Sequence, residues 1–535
     1  MEPKPLLLSD RKSSLTASLL IVLSSVFIQF KYMNEFPVYY HAWAQDDHYA
    51  LALGFIDNGF DLLHPQTYIY NKQFPDWWER ASNNTITAVD FPIHEYVVAF
   101  LMKATGSTSP WVFRCWTLIC SILGLLFLYD TAFQITASRI KSLLATLFAM
   151  CSPVFAFYFN GFLPGTPAFA FGTIGLWYYI KHLKTNQIKH FIWCIAFLTL
   201  STLIRTTFAI ELIAMLCFEF LRFIRKESEI KGKIYPVLVS VCAISAYLLW
   251  NSHLRSNYGS LFLNKLMPPE SFDDAKEILK DAKDTWEYHY FQKMQYIVFL
   301  IVTVLSCVFG LQGEVRKQKS TEKPSTHLSL CWLPIIYLFG CLLFTIAMMQ
   351  QIPQHDYYFI DTFLLPIILV LTLLLKPLPT PEKSWAKVAV GLAVACLCAM
   401  MLVGTWQKQQ ERRSGYDMAS ICFDNFKDSD RFLDSIGIPR EAKIVALFAY
   451  PQNGPFIQMG RKGYSVMWDK PSLIQAIDTW DFDFIVIEDY MFGMNYEERK
   501  EILDRLDRIA DNGRISVCTM SDKRIPLTNS LNQMY

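Results

Sequence analysis

Charge is scarce in this 535-residue chain: Asp, Glu, Lys and Arg make up 18% of it, against 53% hydrophobic residues, and the mean hydropathy is +0.23. A soluble globular protein carries roughly 25% charged residues on a solvated surface. The composition therefore excludes that class and points to a polytopic membrane protein. Cysteine patterning is lacking too. Of the 13 cysteines, all but Cys422 and Cys518 lie in or beside apolar runs, where a free thiol acts as a small hydrophobe. No metal-ligand spacing occurs, and only Cys422 and Cys518 are placed to pair in an oxidising compartment. The C-terminal part has no glycine-rich phosphate loop, which argues against a nucleotide role. No small-residue cleavage site follows the first apolar run, so that run reads as a retained signal-anchor and not as a removed signal peptide.

Long apolar runs are what the chain has instead. About eleven are long enough to cross a hydrocarbon core of about 30 Å. They centre on residues 14–31, 110–130, 142–159, 164–180, 190–204, 207–222, 234–251, 294–311, 328–349, 358–375 and 386–405. The stretch 190–222 contains Arg205-Thr206-Thr207 and is expected to be two helices joined by a tight turn, since an arginine in lipid costs a few kcal/mol. The net charge of +1 hides an uneven distribution. Lys4, Arg11 and Lys12, then Arg139 and Lys141, KHLKTNQIK, RFIRKESEIKGK, EVRKQKSTEK and KPLPTPEKSWAK all fall on one side, the cytoplasm by the positive-inside rule. The other side receives a large loop at 32–109, short turns near Asn160 and Arg205, a loop at 252–293, QQIPQHDYY and everything after Trp406.

Two domains are expected. Residues 1–407 form the membrane part, whose large first outer loop carries two apolar segments, HAWAQDDHYALALGF (41–55) and DFPIHEYVVAFLM (90–102), read as interfacial helices. Asp90 and Pro92 are helix-start signals for the second. Between them lies a Trp-, Tyr- and Pro-rich stretch suited to the headgroup region. Residues 408–535 alternate apolar runs (KIVALFA, FDFIVIED, RISVCTM) with helical patterns (DSDRFLDSIG, SLIQAIDTW, YEERKEILDRLDRIADNG), the rhythm of a small outward α/β domain. A rigid cap or docking module is its plain structural role.

Polar residues gather at the outer ends of the spans, which suits an active site better than a conduction path through the bilayer midplane. Asp46 reads as a helix cap, leaving Asp47 in the first turn, held anionic by the helix dipole and fit to accept a proton. Arg205 either snorkels or binds an anion, for which its guanidinium fork matches phosphate oxygens. Tyr357 and Tyr358 are explained by an interfacial aromatic belt, His355 and Asp356 less well. His94 and Glu95 are either a solvated helix face or, with Asp90, substrate-binding groups able to hold a metal. His253, Arg255 and Tyr258 read as ordinary loop residues. Asn83-Asn84-Thr85 matches a glycosylation sequon, a short pattern without meaning in a bacterial host.

The acidic pair just past the first span, followed by an apolar helix in QDDHYALALGFIDNGF, resembles the first-outer-loop motif of the GT-C superfamily of glycosyltransferases, in the style of protein O-mannosyltransferases and lipid A aminoarabinose transferases. The layout matches over residues 10–405. Departures are an Asp where Glu is frequent and a single Pro92 in place of a Pro-Pro motif. The resemblance implies a mainly α polytopic membrane protein that transfers a sugar from a polyprenyl-phosphate donor to a glycan, lipid or protein hydroxyl at the periplasmic face of a bacterial inner membrane, with inversion. Asp47 is then the base, with Asp46 as second choice, and Arg205 the phosphate clamp. His355, Asp356, Tyr357, Tyr358, Asp90, His94 and Glu95 support donor or acceptor. No cofactor or metal is required, and nucleic acid is not a partner. The alternative is a transporter or flippase of a lipid-linked or anionic solute, which would show polar residues deep in several helices and an internal repeat of hydropathy. Neither is clear in the sequence.

Overall fold

The computed structural model describes residues 8–70, 84–263, 265–318, 328–381, 383–415, 417–448, 450–466, 473–493 and 501–521. Asn83 of the sequon and the end of EVRKQKSTEK lie outside them. The chain opens on α1 (Leu8–Gln29), and the first outer loop supplies α2 (Ala42–Asp57) and α3 (Ile93–Thr105). Next comes α4 (Pro110–Thr136), starting at a proline, which has no N–H to lose at a first helical position. The expected span 142–159 is two helices, α5 (Arg139–Met150) and α6 (Pro153–Tyr158), because Ser152 caps a new start by accepting the Phe155 N–H, with Pro153 behind it. Then follow α7 (Gly165–Thr185), α8 (Ile188–Ile204) and α9 (Ala209–Ile224). Arg205 ends α8 in extended backbone, φ −147, as the turn between two helices requires.

Beyond these run α10 (Ile234–Tyr258), α11 (Phe272–Tyr290), α12 (Lys293–Gln318), α13 (Trp332–Ala347), α14 (Tyr358–Asp361), α15 (Leu364–Leu375) and α16 (Ser384–Glu411). His253, Arg255 and Tyr258 therefore belong to the last turns of α10 and not to a loop. Each expected span meets a helix, but length and composition suffice for crossing in five of those described: Ser14–Tyr32, Pro110–Thr136, Ile234–Tyr258, Lys293–Leu311 and Ser384–Glu411. Ile188–Ile204, Trp332–Ala347 and Leu364–Leu375 are shorter apolar helices. Interruptions such as Ser152-Pro153 account for the shortening. The chain is an integral membrane protein of mainly helical fold.

By contact the chain groups differently from a division at residue 407. One unit combines Met1–Asn34, Arg114–Tyr247 and Lys265–Arg412; the second combines Glu35–Phe113, Leu248–Asn264 and Arg413–Tyr535. The first outer loop and the C-terminal region thus share a unit.

The C-terminal region builds α17 (Met418–Phe426), α18 (Ser429–Ser435), β1 (Lys443–Leu447), α19 (Gly454–Met459), β2 (Lys462–Val466), α20 (Leu473–Thr479), β3 (Phe484–Glu488), α21 (Asp489–Gly493), β4 (Leu506–Asp511) and β5 (Ile515–Met520). The sheet order is β2-β1-β3-β5-β4, with β1 parallel to β2 and β3, and β5 antiparallel to β3 and β4. Alternate residues feed two cores. Val445, Leu447, Ile485 and Ile487 pack on one face, and Ile444, Ala446, Phe484 and Val486 on the other.

Of the expected helix over 496–513, residues 496–500 lie outside the described ones and 501–503 are helical, but the rest is corrected. Its end, LDRIAD, is strand β4, because the Asn512-Gly513 turn with Gly513 at φ 80 closes a hairpin onto β5. The free edge of β2 is covered from the first outer loop: the Gly463 N–H donates to the Tyr68 carbonyl at 3.0 Å and the Tyr70 N–H to the Gly463 carbonyl at 2.8 Å. Only glycine fits at 463, where a Cβ would stand 1.8 Å from the Ile444 carbonyl oxygen. Cys422 and Cys518 are both buried free thiols, so the expected pairing is not made.

Candidate active site

The helix α2 starts earlier than its sequence suggests. His41 precedes it in left-handed backbone, φ 53, and makes no side-chain cap, so Asp46 and Asp47 both lie a full turn inside the helix. The reading of Asp46 as a cap, and of Asp47 as a first-turn residue beside the dipole, is therefore corrected. Nor does α2 rest on an interface: Gln45 to Phe55 are buried throughout, as expected of a helix apolar on all sides.

Both carboxyls are buried, and their hydrogen-bond partners separate them. Asp47 accepts a hydrogen bond at Oδ1 from Asn453 Nδ2, 2.7 Å away. Asn453 is itself oriented by the Tyr68 N–H, which donates to its Oδ1 at 3.0 Å. Among the described residues no group donates to Asp46, which lines a narrow cleft with Phe36, Tyr450, Pro451 and Gly454. Burial first, and the neighbouring Asp47 second, push the Asp46 carboxyl well above the usual carboxylate range. The two adjacent carboxyls thus differ in their partners, one holding an amide donor and the other none among the described residues.

On α3, His94 and Glu95 are buried, so neither belongs to a solvated face. The His48 ring, at Nδ1, shares a hydrogen bond of 2.6 Å with Glu95 Oε1, tying α2 to α3. Burial alone would raise the Glu95 carboxyl, but this bond and the pull of His48 and His94 outweigh it and hold it low. His94 is driven down to about 4, mainly by burial, and its ring meets Phe113 edge-on at 5.0 Å. Asp90 stands half-buried ahead of α3. Among the described residues no three His, Cys, Asp or Glu side chains are grouped to hold a metal.

The other unit holds a cationic cluster. Arg205 Nε donates to Asp361 Oδ2 at 2.7 Å, and the guanidinium lies 5.6 and 5.7 Å from the ring centres of Tyr357 and Tyr358. Asp361 reaches this place because α7 begins with glycine: a Cβ on Gly165 would stand 2.4 Å from Asp361 Oδ1. The HDYY motif divides between two tasks. Tyr357 and Tyr358 face Arg205, whereas Asp356 accepts from Arg412 Nη2 at 2.5 Å and from the Tyr158 hydroxyl at 2.9 Å, with both members of the ion pair fully buried. His355 Nδ1 lies 3.1 Å from the Gln351 carbonyl oxygen, a local tie. Arg412 Nη1 donates to His289 Nδ1 at 3.1 Å. Burial first, and then the Arg412 charge, lower His289 to about 4, in keeping with a neutral ring that accepts.

Sequence reasoning did not find Asn453, Asp361, Arg412 or His289. The Asn-Gly step in YPQNGP and the third acid in HDYYFID were the available signals for the first two.

A family model described as dolichyl-phosphate-mannose-protein mannosyltransferase matches residues 90–252, which include His94, Glu95 and Arg205 but neither α2 nor the HDYY motif. No curated protein matches the sequence. The structure is similar to that of ArnT from Cupriavidus metallidurans bound to undecaprenyl phosphate, at 9% identity and a TM-score of 0.57, covering 94% of this chain and 97% of that one. The fold is the GT-C fold. It is also similar to the archaeal oligosaccharyltransferase AglB from Archaeoglobus fulgidus in complex with an inhibitory peptide and a dolichol-phosphate, at 12% identity and a TM-score of 0.50, covering 97% of this chain and 75% of that one. The family match and the GT-C fold together indicate a membrane glycosyltransferase.

Proposed function

We propose that the chain transfers a sugar from a polyprenyl-phosphate carrier to an acceptor hydroxyl on a glycan, lipid or protein. The observation that carries this reading is the buried pair on α2, in which Asp47 holds a hydrogen bond from Asn453 while Asp46 is pushed towards its neutral form. Asp47 takes the proton of the acceptor hydroxyl, whose oxygen attacks the anomeric carbon as the bond to the carrier phosphate breaks. One base and in-line displacement invert that carbon. Arg205, held by Asp361, stabilises the departing phosphate, since a fixed guanidinium aimed at developing charge lowers the barrier without reorganising. Tyr357 and Tyr358 flank the Arg205 guanidinium, Glu95 braces α2 through His48, and His94 packs beside it against Phe113. His355, Asp356 and Asp90 act in support of the bound substrates. The scheme requires no metal or cofactor.

The solved relatives bound to undecaprenyl phosphate and to a dolichol-phosphate support a carrier of this class. The Lys and Arg bias supports a cytoplasmic N-terminus and an outward α/β region at 408–535, in the periplasm if the membrane is a bacterial inner membrane. The test is to add a purified polyprenyl-phosphate sugar and an acceptor to the reconstituted protein and measure release of carrier phosphate. Release that depends on acceptor supports the reading. Movement of the intact sugar carrier across the bilayer, with no release, sinks it in favour of a flippase.

A further inference from the structure

A groove of about 950 Å³ runs between α1 and α16. Leu23 and Phe27 form one wall, Leu402 and Val403 the other, and Trp406 and Lys31 stand at its mouth. Both helices are among those long and apolar enough to cross the membrane, and the mouth is at the C-terminal end of each. From Leu23 to Lys31 the rise is about 12 Å at 1.5 Å per residue, less than the roughly 15 Å of one leaflet's hydrocarbon. The groove therefore fits within one leaflet and can take most of the length of a lipid tail there.

Its mouth has the chemistry of a headgroup site. Lys31 is the one charged residue lining it, is exposed, and has no acidic partner among the described residues. Its Nζ lies 5.9 Å from the Tyr32 ring centre. Trp406, 44% exposed, lines the same groove as Lys31. Apolar walls, one unpaired cation and an aromatic rim complement a single amphiphile with a negative head. None of the groove residues belongs to the Arg205, Tyr357, Tyr358 and Asp361 cluster assigned to the carrier, so the occupant is a different molecule.

We propose that this groove binds one anionic glycerophospholipid of the surrounding leaflet, its phosphate on Lys31 and one acyl chain between α1 and α16. The lipid closes the seam between the first and last long helices and should stabilise the protein without entering the reaction.

Native mass spectrometry of the full chain released from nanodiscs of equal phosphatidylglycerol and phosphatidylethanolamine tests this. The expected result is one retained phosphatidylglycerol, with retention falling about fivefold in Lys31→Gln, the loss expected for one basic residue at a membrane surface. Val403→Trp, which fills the groove from the opposite wall, should abolish retention while carrier phosphate release persists. Equal retention of the two lipids by the unchanged protein, or retention indifferent to both substitutions, overturns the proposal. So does displacement of the phosphatidylglycerol by added polyprenyl phosphate, which would assign the groove to the carrier. Because retention is read without turnover, failure here and failure of the transferase reading are separate outcomes.

Discussion

Acidification should loosen α3 before it protonates the Glu95 carboxylate beside it. His94 is buried against Phe113 and held near 4, whereas an unfolded histidine titrates at 6.5. The unfolded chain thus takes up a proton that the folded chain refuses. Stability contributed by the neutral ring is fully present above about 6.5 and is lost as pH falls towards 4. With each unit of difference worth about 1.4 kcal/mol, a difference of about 2.5 units amounts to about 3 kcal/mol across that window. Glu95 acts in the same direction, but its carboxyl is held below its ordinary value, so its share is lost only at lower pH. Hydrogen exchange of the α3 amides, followed by mass spectrometry between about pH 7.5 and about pH 4.5, should show protection falling with pH in the unchanged protein. His94→Gln keeps a polar ring-sized group without a titrating site and should flatten the profile. Parallel profiles for the two proteins would refute the reasoning, since the difference between them isolates this one ring.

The remaining predictions concern the two polar clusters. Asp47→Asn should lower turnover by about 10²–10⁴-fold with expression intact, and carrier phosphate release measures it; Asp46→Asn should cost less turnover and raise the melting temperature. The Asp46 sign follows from its raised carboxyl, whose stabilising share is complete below the ordinary carboxylate pKa and is lost as pH rises, so the gain from asparagine should grow with pH. A lethal Asp46→Asn beside an active Asp47→Asn would reverse the assignment. Arg205→Ala should weaken carrier binding by about 1.5–3 kcal/mol, the worth of a charge-assisted hydrogen bond, and Asp361→Asn should weaken it by a smaller amount; unchanged carrier affinity in folded Arg205→Ala removes Arg205 from the site. Arg412→Met should cost about 3–5 kcal/mol because it strands Asp356 without its partner. Adding Asp356→Leu should restore part of that, and a double-mutant cycle on thermal unfolding shows whether it does.

Which parts of this molecule were legible in its sequence follows from the range of the interactions involved. The membrane helices are written in local apolar runs, and the α/β rhythm after Trp406 is a local alternation, so both were readable. The breaks were less so, because Ser152-Pro153 interrupts a run whose hydropathy hardly changes. Strand β4 was misread for a related reason: LDRIAD has a strong helical pattern, and only its pairing with β5 through Asn512-Gly513 decides against it. The acid pair was found, but its chemistry was not. The helix start at His41 depends on a left-handed backbone angle that no cap residue announces, and the donor to Asp47 sits 406 residues away at Asn453. Asp361 lies 156 residues from Arg205, and Arg412 lies 56 from Asp356. Pairs at such separations leave no periodic trace in the sequence.

The unit that contains the acid pair is assembled from three pieces of chain, and this fixes an order of events during synthesis. The helix α2 is made early, yet the residue that donates to Asp47 and the strand edge that Tyr68 and Tyr70 cover are made last. Until residues near 463 have been made, the loop after α1 has no sheet to join and Asp47 has no amide to hold it. Contacts of such sequence separation form slowly, so the long central run of spans is inserted while the carboxylate is still unset. A ribosome that stops early therefore leaves the helices made but Asp47 without its partner, and a held carboxylate becomes a mark that synthesis has passed Asn453.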